Sequence, residues 1–265
     1  MMNQPMAVFF DIDGTLLPDW RETIPAETMA AVRAAQANGH LCILNTGRAL
    51  GTVDAHLLDD GFDGIISGVG TRAVFHGERL WEHLVEPVIG RHIIEAARVC
   101  GVKVVLEGNE ATAYDTRYFP PTEAERKLLD AYRKMGRKIV ELGEEDSFSP
   151  AKFIVSPEHG GDQARFYSMI EGFSVIDYGN GWAEVVPEGY NKGSAMLRIL
   201  DHLGLPVERS IAVGDSENDV PMLSLTPNSV AMGNGKAKEA PVSFVTRPCR
   251  EGGIPHMLRH FGLID

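Results

Sequence analysis

Short apolar runs alternate with stretches of helical periodicity at both ends of this 265-residue chain, and that rhythm limits the fold more than any other feature. Residues 6–10 are apolar and stop at Asp11-Ile12-Asp13-Gly14. Residues 25–37 carry Met29, Val32 and Ala35 at helical spacing and close on Asn38-Gly39. Residues 41–44 are apolar again, stop at Asn45-Thr46-Gly47-Arg48 and lead into a helical stretch to about Leu58; residues 64–67 make a third run. Such short apolar runs predict buried strands, and Asn-Gly after a periodic stretch predicts a helix end. Strand, helix and strand in repetition predict right-handed crossovers and a parallel sheet covered on both faces.

The rhythm breaks in the middle. Residues 71–81 alternate around His76-Gly77 as in a hairpin. From residue 86 the predicted order is helix (88–99), two strands (102–107 and 111–115), helix (123–134), strand (152–156) and helix (162–170). Two further strands (174–177 and 182–186) flank Gly179-Asn180-Gly181, a hairpin turn signal. After Pro187 the crossover rhythm resumes with helix 192–203, strand 210–213, helix 221–225 and strand 229–231. The predicted class is therefore α/β: a doubly wound, Rossmann-like parallel-sheet core (residues 1–85 and 185–265) carrying an inserted α+β cap domain (residues 86–184). The length suits roughly two domains. Linkers at 84–86 and 186–189 would let the insert close over a ligand, with Gly189 as a hinge.

Composition narrows the function. The chain is 44% hydrophobic and 23% charged, ordinary globular proportions. Its net charge is -12; the insert carries 12 basic and 17 acidic side chains and the remainder 13 and 20. Neither part offers the cationic patch that nucleic acid or an anionic membrane requires. Cys42, Cys100 and Cys249 are odd in number and far apart, which argues against a disulfide framework and for a reducing compartment. No apolar run is long enough to span a bilayer, and the first residues lack a basic signal-peptide region. The expectation is a soluble, cytoplasmic enzyme of small molecules, a monomer or weak homodimer.

In an open parallel sheet, ligands bind beyond the carboxyl ends of the strands. The polar residues there are Asp11 and Asp13, then Thr46, Gly47 and Arg48, then Gly214, Asp215, Asn218 and Asp219. Converging carboxylates repel one another in a low-dielectric site, and a divalent cation removes that penalty. Oxygen ligands, few of them from protein, favour Mg²⁺, which shares its coordination with a substrate phosphate. Lys192, opening a helix after Gly189-Tyr190-Asn191, adds a point charge beside a helix N-terminus. Gly14 and Gly47 let backbone N–H groups approach an anion, and Thr46 adds a hydroxyl. These residues describe a phosphoryl site in which Asp11 attacks phosphorus and Asp13 serves as acid and then base.

Phe9 to Leu17, Asn45-Thr46-Gly47-Arg48, Asn191-Lys192-Gly193 and Gly214-Asp215-Ser216-Glu217-Asn218-Asp219 resemble, in order and spacing, the four motifs of the haloacid dehalogenase superfamily. The insert between the second and third motifs is similar to the cap of its Cof-type sugar-phosphatase branch. The resemblance implies Asp11 as nucleophile and Asp13 as acid/base. It implies Mg²⁺ on Asp11, the Asp13 carbonyl and Asp215, with Thr46, Gly47, Lys192 and Asn218 around the phosphate and Asp219 behind the metal or Lys192. The implied activity is Mg²⁺-dependent hydrolysis of a small-molecule phosphate ester, such as a sugar phosphate, through an aspartyl-phosphate. Two other readings use the same residues: a phosphosugar mutase passing the phosphoryl group to a hydroxyl, and a non-catalytic metal- and phosphate-binding regulator. One departure from the family stands out: Ser67-Gly68-Val69-Gly70 replaces the Asn-Gly pair found after the third strand in many relatives.

Several fragments have plainer readings. The stretch from Gly214 to Asp219 fails as a calcium loop because, counted from Asp215, Val220 stands at the sixth position, where glycine is needed. Gly68-Val69-Gly70-Thr71-Arg72-Ala73 formally matches a dinucleotide fingerprint but leads into a hairpin rather than a helix. His256 and His260, four apart with no third ligand, read as a solvated face. Cys42, Met196, Leu197 and Leu200 read as core. Arg48 either reaches the substrate or caps the site. Lys152, Tyr118 and Arg72 are polar or aromatic candidates for contacts from the insert or its approach, with orientations the sequence leaves open.

Overall fold

A computed structural model describes residues 5–19, 22–143 and 147–265. The chain runs through β1 (Ala7–Phe10), α1 (Ala26–Ala37), β2 (Leu41–Asn45), α2 (Ala55–Asp59), β3 (Gly64–Ser67), β4 (Arg72–Phe75) and β5 (Glu78–Glu82). It continues through α3 (Pro87–Cys100), β6 (Lys103–Glu107), β7 (Thr112–Tyr114), α4 (Glu123–Lys134), β8 (Ile139–Glu141), β9 (Lys152–Ser156), α5 (Gln163–Met169), β10 (Phe173–Gly179) and β11 (Trp182–Pro187). It ends with α6 (Lys192–Leu203), β12 (Ser210–Gly214), α7 (Val220–Leu223), β13 (Ser229–Ala231), β14 (Phe244–Val245) and α8 (Gly253–His260). By internal contacts the residues divide into two compact units. The first comprises Met1–Gly47, His56–Trp81 and Tyr190–Asp265; the second comprises Arg48–Ala55 and Glu82–Gly189.

The first unit holds a sheet of order β14-β13-β12-β1-β2-β3-β4-β5. Every pair from β14 to β3 is parallel, and β4 turns back antiparallel on β3. β1 is buried at all four positions because it lies mid-sheet with layers on both faces, which is why it reads as an unbroken apolar run. Its neighbours are β2 on one side and β12 on the other, so the strand order reverses at β1 and opens a crevice beyond its carboxyl end. On one face Phe9, Ile43, Ile66 and Ala212 pack with Met196, Ile199 and Leu200 of α6 and with Met222 and Leu223. Leu197, expected in this core, is 42% exposed, since it falls a turn-position off the stripe of Met196 and Leu200.

The second unit is a sheet of order β10-β11-β9-β6-β7-β8, antiparallel except between β7 and β8. One face carries Val104, Leu106, Phe153, Val155, Ala183 and Val185, which pack on Ile93, Ile94, Ala97, Phe166 and Ile170 from α3 and α5. Alternation along each strand sends Glu107, Lys152 and Glu184 to the opposite face.

Two local expectations change. The helical stretch expected from Arg48 to Leu58 is a short 3₁₀ turn, Leu50–Thr52, followed by α2. Tertiary bonds decide this: Gly51 N–H donates to Gly108 O (3.3 Å), and Arg48 pairs with Asp54. β8, too short to carry a period, escapes the sequence pattern; β7 supplies its parallel partner. His256 is half-buried and His260 exposed, in keeping with a solvated face, and both rings have partners: the His260 ring stacks on Phe244 (3.8 Å between centroids), and His256 Nδ1 lies 3.0 Å from Thr246 Oγ1. All three cysteines are buried and free. Among the described residues, no helix is long and apolar enough to cross a membrane.

Candidate active site

The carboxyl ends of β1 and β12 bring the first and last motifs together in the first unit. Asp11 follows β1 directly and is tied to β12 through its N–H, which donates to Val213 O (3.0 Å). The next turn is tight, with Gly14 N–H donating to Leu17 O (2.8 Å). Gly14 has φ +78°, and a Cβ there would stand 2.3 Å from Asp215 Oδ2. Only glycine therefore lets the β1 turn close on Asp215.

Lys192 is fully buried at the start of α6, and its ammonium bridges two carboxylates, donating to Asp11 Oδ1 at 2.6 Å and Asp219 Oδ1 at 2.5 Å. Asp219 is equally buried. Its Oδ2 accepts from the backbone N–H groups of Asp215 (2.8 Å) and Ser216 (2.9 Å). Asp219 thus pins the loop that carries Asp215 and, through Lys192, ties it to Asp11. α6 is positioned in turn by a capping box, in which Asn191 accepts from Ser194 N–H and Ser194 from Asn191 N–H.

The electrostatics are those of crowded carboxylates. Burial pushes the Asp11 carboxyl well above the usual carboxylate range; Lys192 pulls it back, while Asp219, Asp215 and Asp13 push it up again. Burial, Asp219, Asp13 and Glu217 hold Asp215 at about 7, against the opposing pull of Lys192. Burial opposes a charge on Lys192, but Asp11 and Asp219 outweigh it and keep the ammonium protonated. One oxygen from each of Asp11, Asp215 and Asp219 lies within 4.8 Å of the others. This oxygen-only donor set, with more negative than positive charge, suits a hard divalent cation.

Of the other expected site residues, Thr46 is buried at the end of β2, its N–H donating to Ile66 O (2.9 Å) and its carbonyl accepting from Val69 N–H (3.2 Å). Gly47 lies in the bend that follows. Asn218 is buried and accepts from Ser216 Oγ (3.2 Å); Asp13 is half-buried. Arg48 belongs to the second unit, where its Nη1 pairs with Asp54 Oδ2 at 2.9 Å and Asp54 Oδ1 meets Arg137 Nη2 at 2.9 Å.

Two supports of Lys192 were not assigned from sequence. Asn45 Nδ2 donates to the Lys192 carbonyl (3.0 Å), a role hidden inside its motif. The Gly68-Val69-Gly70 turn has positive φ at all three residues, and a Cβ on Gly70 would stand 2.8 Å from Asn191 O. The turn therefore packs against the cap residue of α6. Fully buried Val69 at φ 55° costs on the order of 1–3 kcal/mol, since a branched side chain resists the left-handed region. A β-branched residue between two glycines after a strand is the signal that marks it.

Residues 8–258 match the haloacid dehalogenase-like hydrolase family. An HMP-PP phosphatase of Yersinia enterocolitica is 32% identical over 273 residues, covering 95% of this chain and 93% of that protein. A 5-amino-6-(5-phospho-D-ribitylamino)uracil phosphatase of Bacillus subtilis is 27% identical, covering 98% and 99% of the two chains. The solved structure of a HAD subclass IIB sugar phosphatase superposes with a TM-score of 0.80 at 24% identity, covering 98% of this chain and 100% of that one.

Proposed function

The chain belongs to the haloacid dehalogenase-like hydrolases, in their Cof-type branch, and from that premise we propose how it hydrolyses small phosphate esters. Asp11 is the nucleophile, Asp13 the acid/base, and the substrate a sugar phosphate or a similar small monoester. The observation that carries this reading is Lys192 clamped between Asp11 and Asp219 at 2.6 and 2.5 Å, with Asp215 alongside. Lys192 takes up Asp11 Oδ1 and directs the carboxylate, leaving Oδ2 to attack. The Asp11 oxygen bonds to phosphorus, the ester P–O bond breaks, and Asp13 gives its proton to the departing oxygen. Asp13 then takes a proton from water; the water oxygen bonds to phosphorus and the P–O bond to Asp11 breaks, restoring the carboxylate.

Asp11, Asp215 and the Asp13 carbonyl would hold Mg²⁺, with Asp219 behind them, its two oxygens already bonded to Lys192 and to the loop N–H groups. When bound, Mg²⁺ offsets the carboxylate repulsion and the charge on the phosphoryl oxygens. Thr46, Gly47, Lys192 and Asn218 surround the phosphoryl group. The residues inserted between the second and third motifs, 86–184, serve as the cap, Arg48 contributes to substrate binding, and the enzyme works in the cytoplasm.

Phosphate release from an aryl phosphate and a panel of sugar phosphates, with and without Mg²⁺, tests the reading. Metal-dependent release that is lost in Asp11→Asn is expected. Undiminished turnover in that variant overturns the assignment of the nucleophile.

A further inference from the structure

The strained turn after β3, in the first unit, is held in part from outside itself. Gly68, Val69 and Gly70 have φ of 60°, 55° and 98°, and of these Val69 alone carries a side chain, which is fully buried. A branched residue keeps a left-handed backbone only where its surroundings impose it. Val69 N–H donates to Thr46 O (3.2 Å) and Thr71 Oγ1 to Gly68 O (3.0 Å), both bonds made by the loop and the strand beside it. The third bond comes from β5: the Trp81 indole Nε1–H donates to Gly70 O (3.0 Å). Trp81 is half-buried against the core of the same unit.

The same turn bears on α6. A Cβ on Gly70 would stand 2.8 Å from Asn191 O and 2.9 Å from Ala195 Cβ, so the Gly70 backbone abuts the first turn of that helix directly. About two turns further along α6, the Arg198 guanidinium lies over the Trp81 ring at 3.9 Å. Trp81 therefore bridges the two elements: its N–H fixes Gly70, and its ring lies under a residue of α6. Lys192 opens that helix, its carbonyl accepting from Asn45 Nδ2 (3.0 Å) and its ammonium bound to Asp11 and Asp219. Without the indole N–H the Gly70 carbonyl is free to turn. Val69 then relaxes toward negative φ, the backbone against Asn191 moves with it, and Lys192 shifts while Asp11 stays at the end of β1.

Resting on the phosphatase reading, we propose that Trp81 is a positioning residue for the reaction: through Gly70 it holds the start of α6 where Lys192 can direct Asp11. The test measures kcat and KM for an aryl phosphate at saturating Mg²⁺ in the parent, in Trp81→Phe, in Val69→Gly and in the double variant, with an unfolding midpoint for each. Trp81→Phe keeps a ring under Arg198 and removes the N–H. It is expected to lower kcat about tenfold, because a displaced catalytic group costs rate, with KM within about twofold of the parent. Val69→Gly removes the strain that the indole opposes, since glycine takes a positive φ freely. Added to Trp81→Phe, it is expected to restore most of the lost kcat, even though emptying a buried site lowers the midpoint further. A merely structural role predicts the reverse, with turnover and midpoint falling together. Gly70→Ala, which drives a Cβ toward Asn191 O, is expected to lower kcat at least as far as Trp81→Phe and serves if the double variant does not fold. Unchanged kcat in folded Trp81→Phe or Gly70→Ala, or no recovery in a folded double variant, overturns the inference. A parent inert on the aryl phosphate and on sugar phosphates overturns the phosphatase reading instead.

Discussion

Replacing Asp219 by Asn tests the claim that this residue organises the site from behind. Asp219 is fully buried and accepts from Lys192, Asp215 N–H and Ser216 N–H, so its charge is fully engaged. An Asn amide has one accepting oxygen: turned to Lys192 it presents NH₂ to the two backbone donors, and turned to the loop it presents NH₂ to an ammonium. Removing one partner of a buried pair costs about 3–5 kcal/mol. At about 2–4 °C per kcal/mol for a chain of this size, the lower figure already lowers the unfolding midpoint by roughly 6–12 °C. Loss of an outer partner that orients a metal site further lowers metal affinity or turnover by about 10–100-fold. Thermal unfolding followed by circular dichroism and Mg²⁺-titrated phosphate release measure the two effects. A variant matching the parent in both midpoint and turnover refutes the reasoning.

Other expectations follow from the same geometry. Gly14→Ala places a Cβ 2.3 Å from Asp215 Oδ2 at a φ of +78°, so turnover should fall at least tenfold with a weaker apparent Mg²⁺ affinity, read from rate against metal concentration. Burial and its acidic neighbours hold Asp215 at about 7 when folded, against 3.8 otherwise, so its contribution to metal-free stability is full at low pH and is lost as pH rises through about 7. Mg²⁺ should therefore raise the unfolding midpoint more above pH 7 than below it, and scans at both pH values with and without metal check this. Burial, reinforced by Asp63, holds the Cys42 thiol far above its ordinary range, so under native conditions it should react with a thiol reagent only as the protein unfolds. Mass spectrometry of timed alkylation gives the rate.

The alternation of strands and helices follows from residue chemistry along the chain, because a buried parallel strand needs an apolar run and a crossover needs a periodic helix. The sequence by itself also determined which residues end those strands, and hence Asp11, Thr46 and the Gly214–Asp219 loop as the chemistry to examine. Tertiary structure alone decided how they meet. The reversal of strand order at β1 sets Asp11 against β12, and Lys192, 181 positions from Asp11, closes the ion pair because α6 packs on that sheet. Arg48 shows the limit from the other side: it adjoins Thr46-Gly47 in sequence, yet Asp54 and Arg137 hold it in the second unit. The buried ion pairs of Lys152 (β9) with Glu107 (β6) and Glu184 (β11) were equally hidden, since each residue lies on a different strand and only the register of the sheet aligns them. Periodicity reports which face of its own element a residue occupies. It carries no information about which distant element arrives opposite, and a charged site is made by that arrival.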